Sequence, residues 1–215
     1  MANDLYWKTV TPPLRSTLEL FMAAQEFNRF RLVGGTALSL LLGHRISRDI
    51  DLFTDVPYET IDFTTIEQFL HNHFSYVDHN KGIPSGKGKS FFIGESPVDA
   101  LKLDCYCTGS FIDPPLLIDG IRLATLDEIV AMKVDVISRK GRMKDFWDLH
   151  EVLKDYSPEK MLQLHQKRYP DTHDNNLIRT KLLDFSSADD DFEPVCLKGK
   201  YWPLVKGDLR TWLSQ

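Results

Sequence analysis

Apolar positions along the chain change their period several times, and each change marks an element. Leu14, Leu18, Phe21 and Met22 recur at helical spacing and predict a helix packed on a sheet, after an extended lead-in ending at Thr11-Pro12-Pro13. Phe30 to Val33 reads as a short strand, Gly34-Gly35 as a turn, Thr36 to Leu42 as a helical run, and a second strand then carries Asp49 and Asp51. Ile66, Phe69, Leu70 and Phe74 return to helical spacing. Ser90 to Ile93 and Val98 to Cys107 read as paired strands around a Gly94 to Pro97 turn. In the second of them Leu101, Leu103 and Cys105 share one face, and Lys102, Asp104 and Tyr106 the other. Ile121 to Leu123 predicts a short edge strand.

From Thr125 onward the pattern is helical. Thr125-x-x-Glu128 is a capping box, and Leu126, Ile129, Val130, Val134 and Ile137 form the stripe of the helix it opens. A second helix begins near Lys144 with Phe146, Leu149, Val152 and Leu153 inside; others start at Ser157-Pro158-Glu159 and Asp174, and Lys206 to Leu213 forms a last one. This order of elements predicts an α+β fold. A mixed sheet flanked by helices occupies residues 1–124, and a small helical C-terminal subdomain over residues 125–215 faces it across a groove.

Composition narrows the functional classes. A chain of 215 residues with 42% hydrophobic positions holds one compact core. Its longest apolar run, Leu38 to Leu42, is too short to span a bilayer, and Asp4 and Lys8 interrupt any secretory signal after Met1. No membrane partner is expected. Cys105, Cys107 and Cys196 are odd in number and lack zinc-like pairing, which suits a reduced, cytoplasmic setting. The net charge of −5 argues against a broad basic nucleic-acid surface and leaves room for a local groove. The basic Lys81 to Lys89 stretch reads as a hairpin loop able to touch an anion, the spacings of His71, His73 and His79 suit no zinc site, and Asp189-Asp190-Asp191 reads as a solvated loop.

The chemistry concentrates around the second strand. If that strand extends back far enough, Arg45, Ser47, Asp49 and Asp51 share one face, with Ile50 and Leu52 turned to the core. Neighbouring carboxylates repel unless a cation sits between them, and a pair of metals roughly 4 Å apart can clamp the oxygens of a phosphoryl displacement. Mg²⁺, or Mn²⁺ in its place, suits such a site with an NTP as substrate. Gly34 and Gly35 admit a phosphate to the main chain, where the N–H groups opening the next helix and the Thr36 hydroxyl form an anion site. Asp104 completes a three-carboxylate metal cluster if its strand neighbours Asp49-x-Asp51. Lys133 lies in an apolar stripe, so its head either reaches phosphates or the acidic cluster, or snorkels to solvent. Asp145 and Asp148 sit where the macrodipole of a first helical turn favours acids, and Asp135 with Arg139 reads as a surface pair.

The stretch LVGGTALSLLLGHRISRDIDLF, Leu32 to Phe53, resembles the hG[G/S]…DhDh signature of the DNA polymerase β nucleotidyltransferase superfamily. Its wording GGTAL…GHRxSxDIDLF, with the later block AMKVDVISRKGRMKDFWDL, resembles the AbiEii/AbiGii abortive-infection toxin group. The resemblance implies a nucleotidyltransferase-type sheet and Mg²⁺-dependent transfer of a nucleoside monophosphate. Asp49, Asp51 and Asp104 would be catalytic metal ligands, Lys133 and Asp145 would belong to the active site, and Gly34, Gly35, Thr36, Arg45, Ser47 and Lys133 would bind the nucleotide. It further implies a toxin with a cognate antitoxin, acting on an RNA 3′ end such as that of a tRNA. Transfer to a small molecule or a protein side chain, and an idle nucleotide- or partner-binding module of the same fold, are the alternatives.

Overall fold

The computed structural model describes residues 4–79 and 87–214. Helix α1 (Pro12–Ala23) begins inside the expected lead-in: Thr11 Oγ1 caps it by accepting from Leu14 N–H, and the prolines occupy its first turn, where no N–H is needed. Strand β1 (Arg31–Leu32) is shorter than the apolar run around it. Helix α2 (Gly34–Leu42) starts on the glycines themselves and stops at Gly43, whose φ of +67° no bulky side chain adopts readily. Strand β2 (Asp49–Thr54) begins only at Asp49; Arg45 makes an isolated bridge to Cys196, so the expected backward extension is absent.

Helix α3 (Phe63–His73), capped by Asp62, is followed by β3 (Tyr76–His79), β4 (Gly88–Gly94), β5 (Leu101–Cys107), β6 (Leu116–Ile118) and β7 (Ile121–Leu123). The rest is helical: α4 (Leu126–Lys140), α5 (Met143–Glu151), α6 (Pro158–Arg168), α7 (Asn175–Lys181) and α8 (Trp202–Leu213). Six residues of the basic Lys81 to Lys89 stretch, positions 81–86, lie outside the described residues, so only Lys87 and Lys89 of its lysines can be placed.

The strands form one mixed seven-stranded sheet in the order β3-β4-β5-β2-β1-β7-β6. β2 lies near its middle, parallel to β5 and antiparallel to β1. β7 is therefore an interior strand, not an edge; the edge is the three-residue β6, whose Leu117 is 71% exposed and which gives no alternating signal behind Pro114-Pro115. Alternation on the central strands holds: Ile50, Leu52, Leu103 and Cys105 are fully buried, with the aspartates turned the other way. α2 packs against β2, α4 and α5, and α4 packs against α6 and α7. One buried core runs across residue 124, the point where a helical subdomain was expected to begin. Among the described residues no helix is long and apolar enough to cross a membrane.

Candidate active site

Register places the three strand aspartates together. Asp51 and Asp104 are direct partners across the parallel β2–β5 pair, and neighbouring strands lie about 4.8 Å apart; Asp49 precedes Asp51 on the same face. Asp49 Oδ2 lies 3.2 Å from Lys144 Nζ, and Asp104 Oδ2 2.6 Å from Lys102 Nζ. Asp51, between them, has no ion-pair partner among the described residues. Burial first, then the charges of Asp104 and Asp49, push its carboxyl up to about 6. The second oxygen of Asp104, Oδ1, is buried without a hydrogen-bond partner.

These features fit a cation. Three like charges held on rigid strands, one of them with an orphaned buried oxygen, lack positive charge at the point where they meet. Among the described residues, however, no three His, Cys, Asp or Glu side chains already converge as a metal cage, because Asp49 and Asp104 are turned toward their lysines.

The glycine turn abuts this trio. Gly34 has φ +68°, and a Cβ there would stand 2.6 Å from Asp51 Oδ2; a Cβ on Gly35 would stand 2.3 Å from Arg45 Nη2. No side chain caps this end of α2, and Gly34, Gly35 and Thr36 line a cavity of about 370 Å³ together with Asp49, Asp51 and Lys133. The Thr36 hydroxyl is 2.8 Å from the Ser47 hydroxyl and also bonds the Asp49 carbonyl. Both side chains are buried, so they fasten α2 to the first residue of β2, and what Thr36 can offer an anion is its main-chain N–H.

A second charged group lies behind the turn. Lys133 Nζ stands 2.7 Å from both Asp145 Oδ1 and Asp148 Oδ2. Arg45 grips Asp148 bidentately, Nε to Oδ1 at 2.6 Å and Nη2 to Oδ2 at 2.8 Å, and His44 Nε2 meets the same Oδ1 at 2.8 Å. All five residues are buried. Burial alone would raise the Asp148 carboxyl, but Arg45 and Lys133 outweigh it and hold it well below the usual carboxylate range. Lys133 is likewise pulled down by burial and held above an ordinary lysine by Asp145 and Asp148. It does not snorkel, and its partners are these two acids, not the strand trio. Arg45 stands behind Gly35 with its fork committed to Asp148. Asp145 also accepts from Arg142 N–H at 3.1 Å, so it serves the helix start and Lys133 at once.

Sequence reasoning missed Asp148 and His44. The available signal was Lys133 itself, a cation in an apolar stripe that needs a buried acid, with Asp145 and Asp148 three apart on one helix. Asp135 is buried and paired at 2.5 Å to Arg139, not a surface residue. Asp189 and Asp191 are engaged too, by Trp202 with Lys206 and by Arg142. An adjoining hollow of about 470 Å³, sharing Asp49 and Lys144 with the first cavity, is lined by Arg48, Arg142 and the 92%-exposed Phe192.

A mixed sheet that sets aspartates on paired central strands beside an uncapped, glycine-opened helix defines a nucleotidyltransferase-type protein. The sequence model of the family described as nucleotidyl transferase AbiEii toxin, Type IV TA system, matches residues 17–202. The chain belongs to that family, and is thus a nucleotidyltransferase toxin of a toxin–antitoxin system. It is 28% identical over 207 residues to an uncharacterised protein of Aquifex aeolicus, covering 89% of this chain and 90% of that one. Among solved structures, JHP933 of Helicobacter pylori is similar with TM-score 0.58 and 15% identity, over 94% of this chain and 87% of that one. MenT4, a nucleotidyltransferase toxin of Mycobacterium tuberculosis, is similar with TM-score 0.56 and 15% identity, over 95% of this chain and 90% of its own. At such identities these two likenesses speak to the fold alone.

Proposed function

We propose that the protein transfers a nucleoside monophosphate from an NTP to a hydroxyl at an RNA 3′ end, with Mg²⁺ held by Asp49, Asp51 and Asp104. The observation that carries this reading is Asp51, crowded by two carboxylates, without a direct ion-pair partner among the described residues, and beside a buried Asp104 oxygen that has no hydrogen-bond partner. When bound, the metal supplies charge stabilisation for a phosphoryl displacement. The acceptor oxygen bonds to the α-phosphorus as the bond to the bridging oxygen breaks and pyrophosphate leaves. Asp104 orients the acceptor hydroxyl and takes its proton. The main-chain N–H groups of Gly35 and Thr36 bind the phosphates at the start of α2, and Lys144 turns from Asp49 to the same phosphates. Lys133, Arg45, Asp145 and Asp148 hold the floor beneath them, and Ser47 fixes Thr36.

RNA is favoured as acceptor by the hollow next to Asp49. Arg48, Arg142 and Lys144 line it together with Asp49, Asp191 and Glu193, and Arg142 and Lys144 pair with Asp191 and Asp49, so it offers one strand end a short run of basic side chains that exchange those partners for phosphates, and no surface for a long duplex. Lys89 is tied to Glu67 and is a weaker candidate for guiding a strand. The family implies a cognate antitoxin as partner. The test is incubation with each labelled NTP, Mg²⁺ and total RNA. Label at RNA 3′ ends, released pyrophosphate, and labelling that falls with added salt are expected; label in protein or small molecules with RNA untouched would overturn the acceptor and leave the transfer reaction standing.

A further inference from the structure

The hollow beside Asp49 holds a side chain that neither the fold nor the transfer chemistry uses. Phe192 lies in its wall and is 92% exposed, whereas every other one of the chain's 13 phenylalanines is buried or half-buried. The segment that carries it is fixed at both ends. One oxygen of Asp191 accepts from Arg142 Nε at 3.1 Å and from the Met143 N–H at 3.3 Å, and the other accepts from the Phe192 N–H at 2.9 Å. Beyond Pro194, the Ile46 N–H donates to the Val195 carbonyl and the Leu197 N–H to the His44 carbonyl, both at 2.9 Å. A large apolar ring held in water by a pinned backbone is preorganised, so a partner that lands on it has little left to order. The surroundings say which partner. The hollow shares Asp49 and Lys144 with the cavity of the strand aspartates, so its occupant lies next to the reacting end. Arg48, exposed and without an ion pair among the described residues, offers that occupant an open cation. Asp191 and Glu193, on either side of Phe192, repel phosphates and leave the ring to the uncharged part of a nucleotide.

We propose that Phe192 is the stacking post for a base at the 3′ end of the acceptor strand, a claim that rests on the RNA-acceptor reading above. The base lies flat on the ring, Arg48 takes a phosphate of the same strand, and the terminal hydroxyl is left at the strand aspartates. Every base has a face that stacks, so the ring does not choose among bases. It chooses an unpaired end, because a base enclosed in a duplex cannot be laid on a side chain.

Binding of a short fluorescent single-stranded RNA would be measured by anisotropy on the full chain, against the same strand with the bases of its last two nucleotides removed. The wild type should bind the intact strand about tenfold more tightly, the order of one stacked base. Phe192→Ala should lose that tenfold on the intact strand and nothing on the base-less one, with NTP affinity and melting temperature unchanged. Phe192→Trp should keep the difference between the strands, whereas Phe192→Leu, apolar but without a flat face, should not. Arg48→Gln should weaken both strands alike, as a phosphate contact does. Equal binding of the two strands by the wild type, or a Phe192→Ala variant that keeps their difference, would overturn the proposal and leave RNA standing as the acceptor. So would an effect of Phe192→Ala confined to the oligomeric state in sedimentation, which marks a contact between protein chains. A wild type that neither binds nor labels RNA would overturn the acceptor reading and this proposal together.

Discussion

Two groups of carboxylates stand close to one cavity and are built in opposite ways. Asp145 and Asp148 on α5 are buried with Lys133, Arg45 and His44 around them, so that every charge has a partner within 2.8 Å. Asp49, Asp51 and Asp104 on the sheet are only half-buried, share two lysines at their margins, and leave Asp51 with none. The first group pairs its charges within the chain and holds Asp148 well below the usual carboxylate range, with only His44 Nδ1 left without a hydrogen-bond partner among its described polar atoms; the second is short of positive charge, and its middle acid is pushed up to about 6. Acidic clusters of similar size thus divide into a frame and a candidate site, and what divides them is the counter-charge supplied by the chain itself.

If that division is right, the two groups respond oppositely to neutralisation. The largest effect should come from Asp49→Asn, which removes a proposed metal ligand: transfer is expected to fall by about 10² or more, with melting temperature unchanged or raised. Next, Asp148→Ala leaves Arg45, Lys133 and His44 buried beside a gap, and urea unfolding should show a loss of about 3–5 kcal/mol. Lys133→Met belongs with it, because two buried acids lose their shared cation; a variant as stable as the wild type would remove Lys133 from the frame.

Gly34→Ala combines a left-handed φ with a Cβ 2.6 Å from Asp51 Oδ2, and should lower stability by about 1–2 kcal/mol and abolish nucleotide binding. The smallest effect is the gain from Asp51→Asn. Because the folded-state pKa lies above the usual value of about 3.8, the native chain holds this proton more tightly than the unfolded chain does. Its stability therefore falls as pH rises from about 4 to about 6, and the deficit is fully present above 6. A rise from 3.8 to about 6 is worth about 3 kcal/mol in full, and the half-buried position of Asp51 reduces it, so the variant should be more stable than the wild type by about 1–2 kcal/mol at pH 7.5 and no different near pH 4. A gain independent of pH would point to packing instead of charge.

The site group was legible in the sequence and the frame was not, for a physical reason. Alternation on β2 and β5 follows from the period of a strand, so Asp49, Asp51 and Asp104 could be put on one polar face before any contact was known. Their neighbourhood needed only that the two strands pair. The frame joins residues about a hundred positions apart, His44 and Arg45 to Asp148, through the packing of α2 on α4 and α5, and no local period reports such a contact. Asp148 was ascribed to a first helical turn, but the acid in the first turn of α5 is Asp145, and the true reason for Asp148 is tertiary. The condition on which Arg45 and Ser47 would share the aspartates' strand face is not met, because the chain there bridges to Cys196 and Val195 from the C-terminal part, a partner that alternation cannot reveal. β6 was missed because three residues behind two prolines hold no period at all.

The most direct test of the division is a Mn²⁺ titration at pH 7.5, followed by calorimetry and by melting temperature, of the wild type, Asp51→Asn, and Asp155→Asn as an exposed-acid control. The account predicts saturable binding that raises the melting temperature of the wild type and of Asp155→Asn, is lost in Asp51→Asn, and weakens in the wild type as pH falls through about 6. Equal Mn²⁺ binding in the wild type and Asp51→Asn would contradict it.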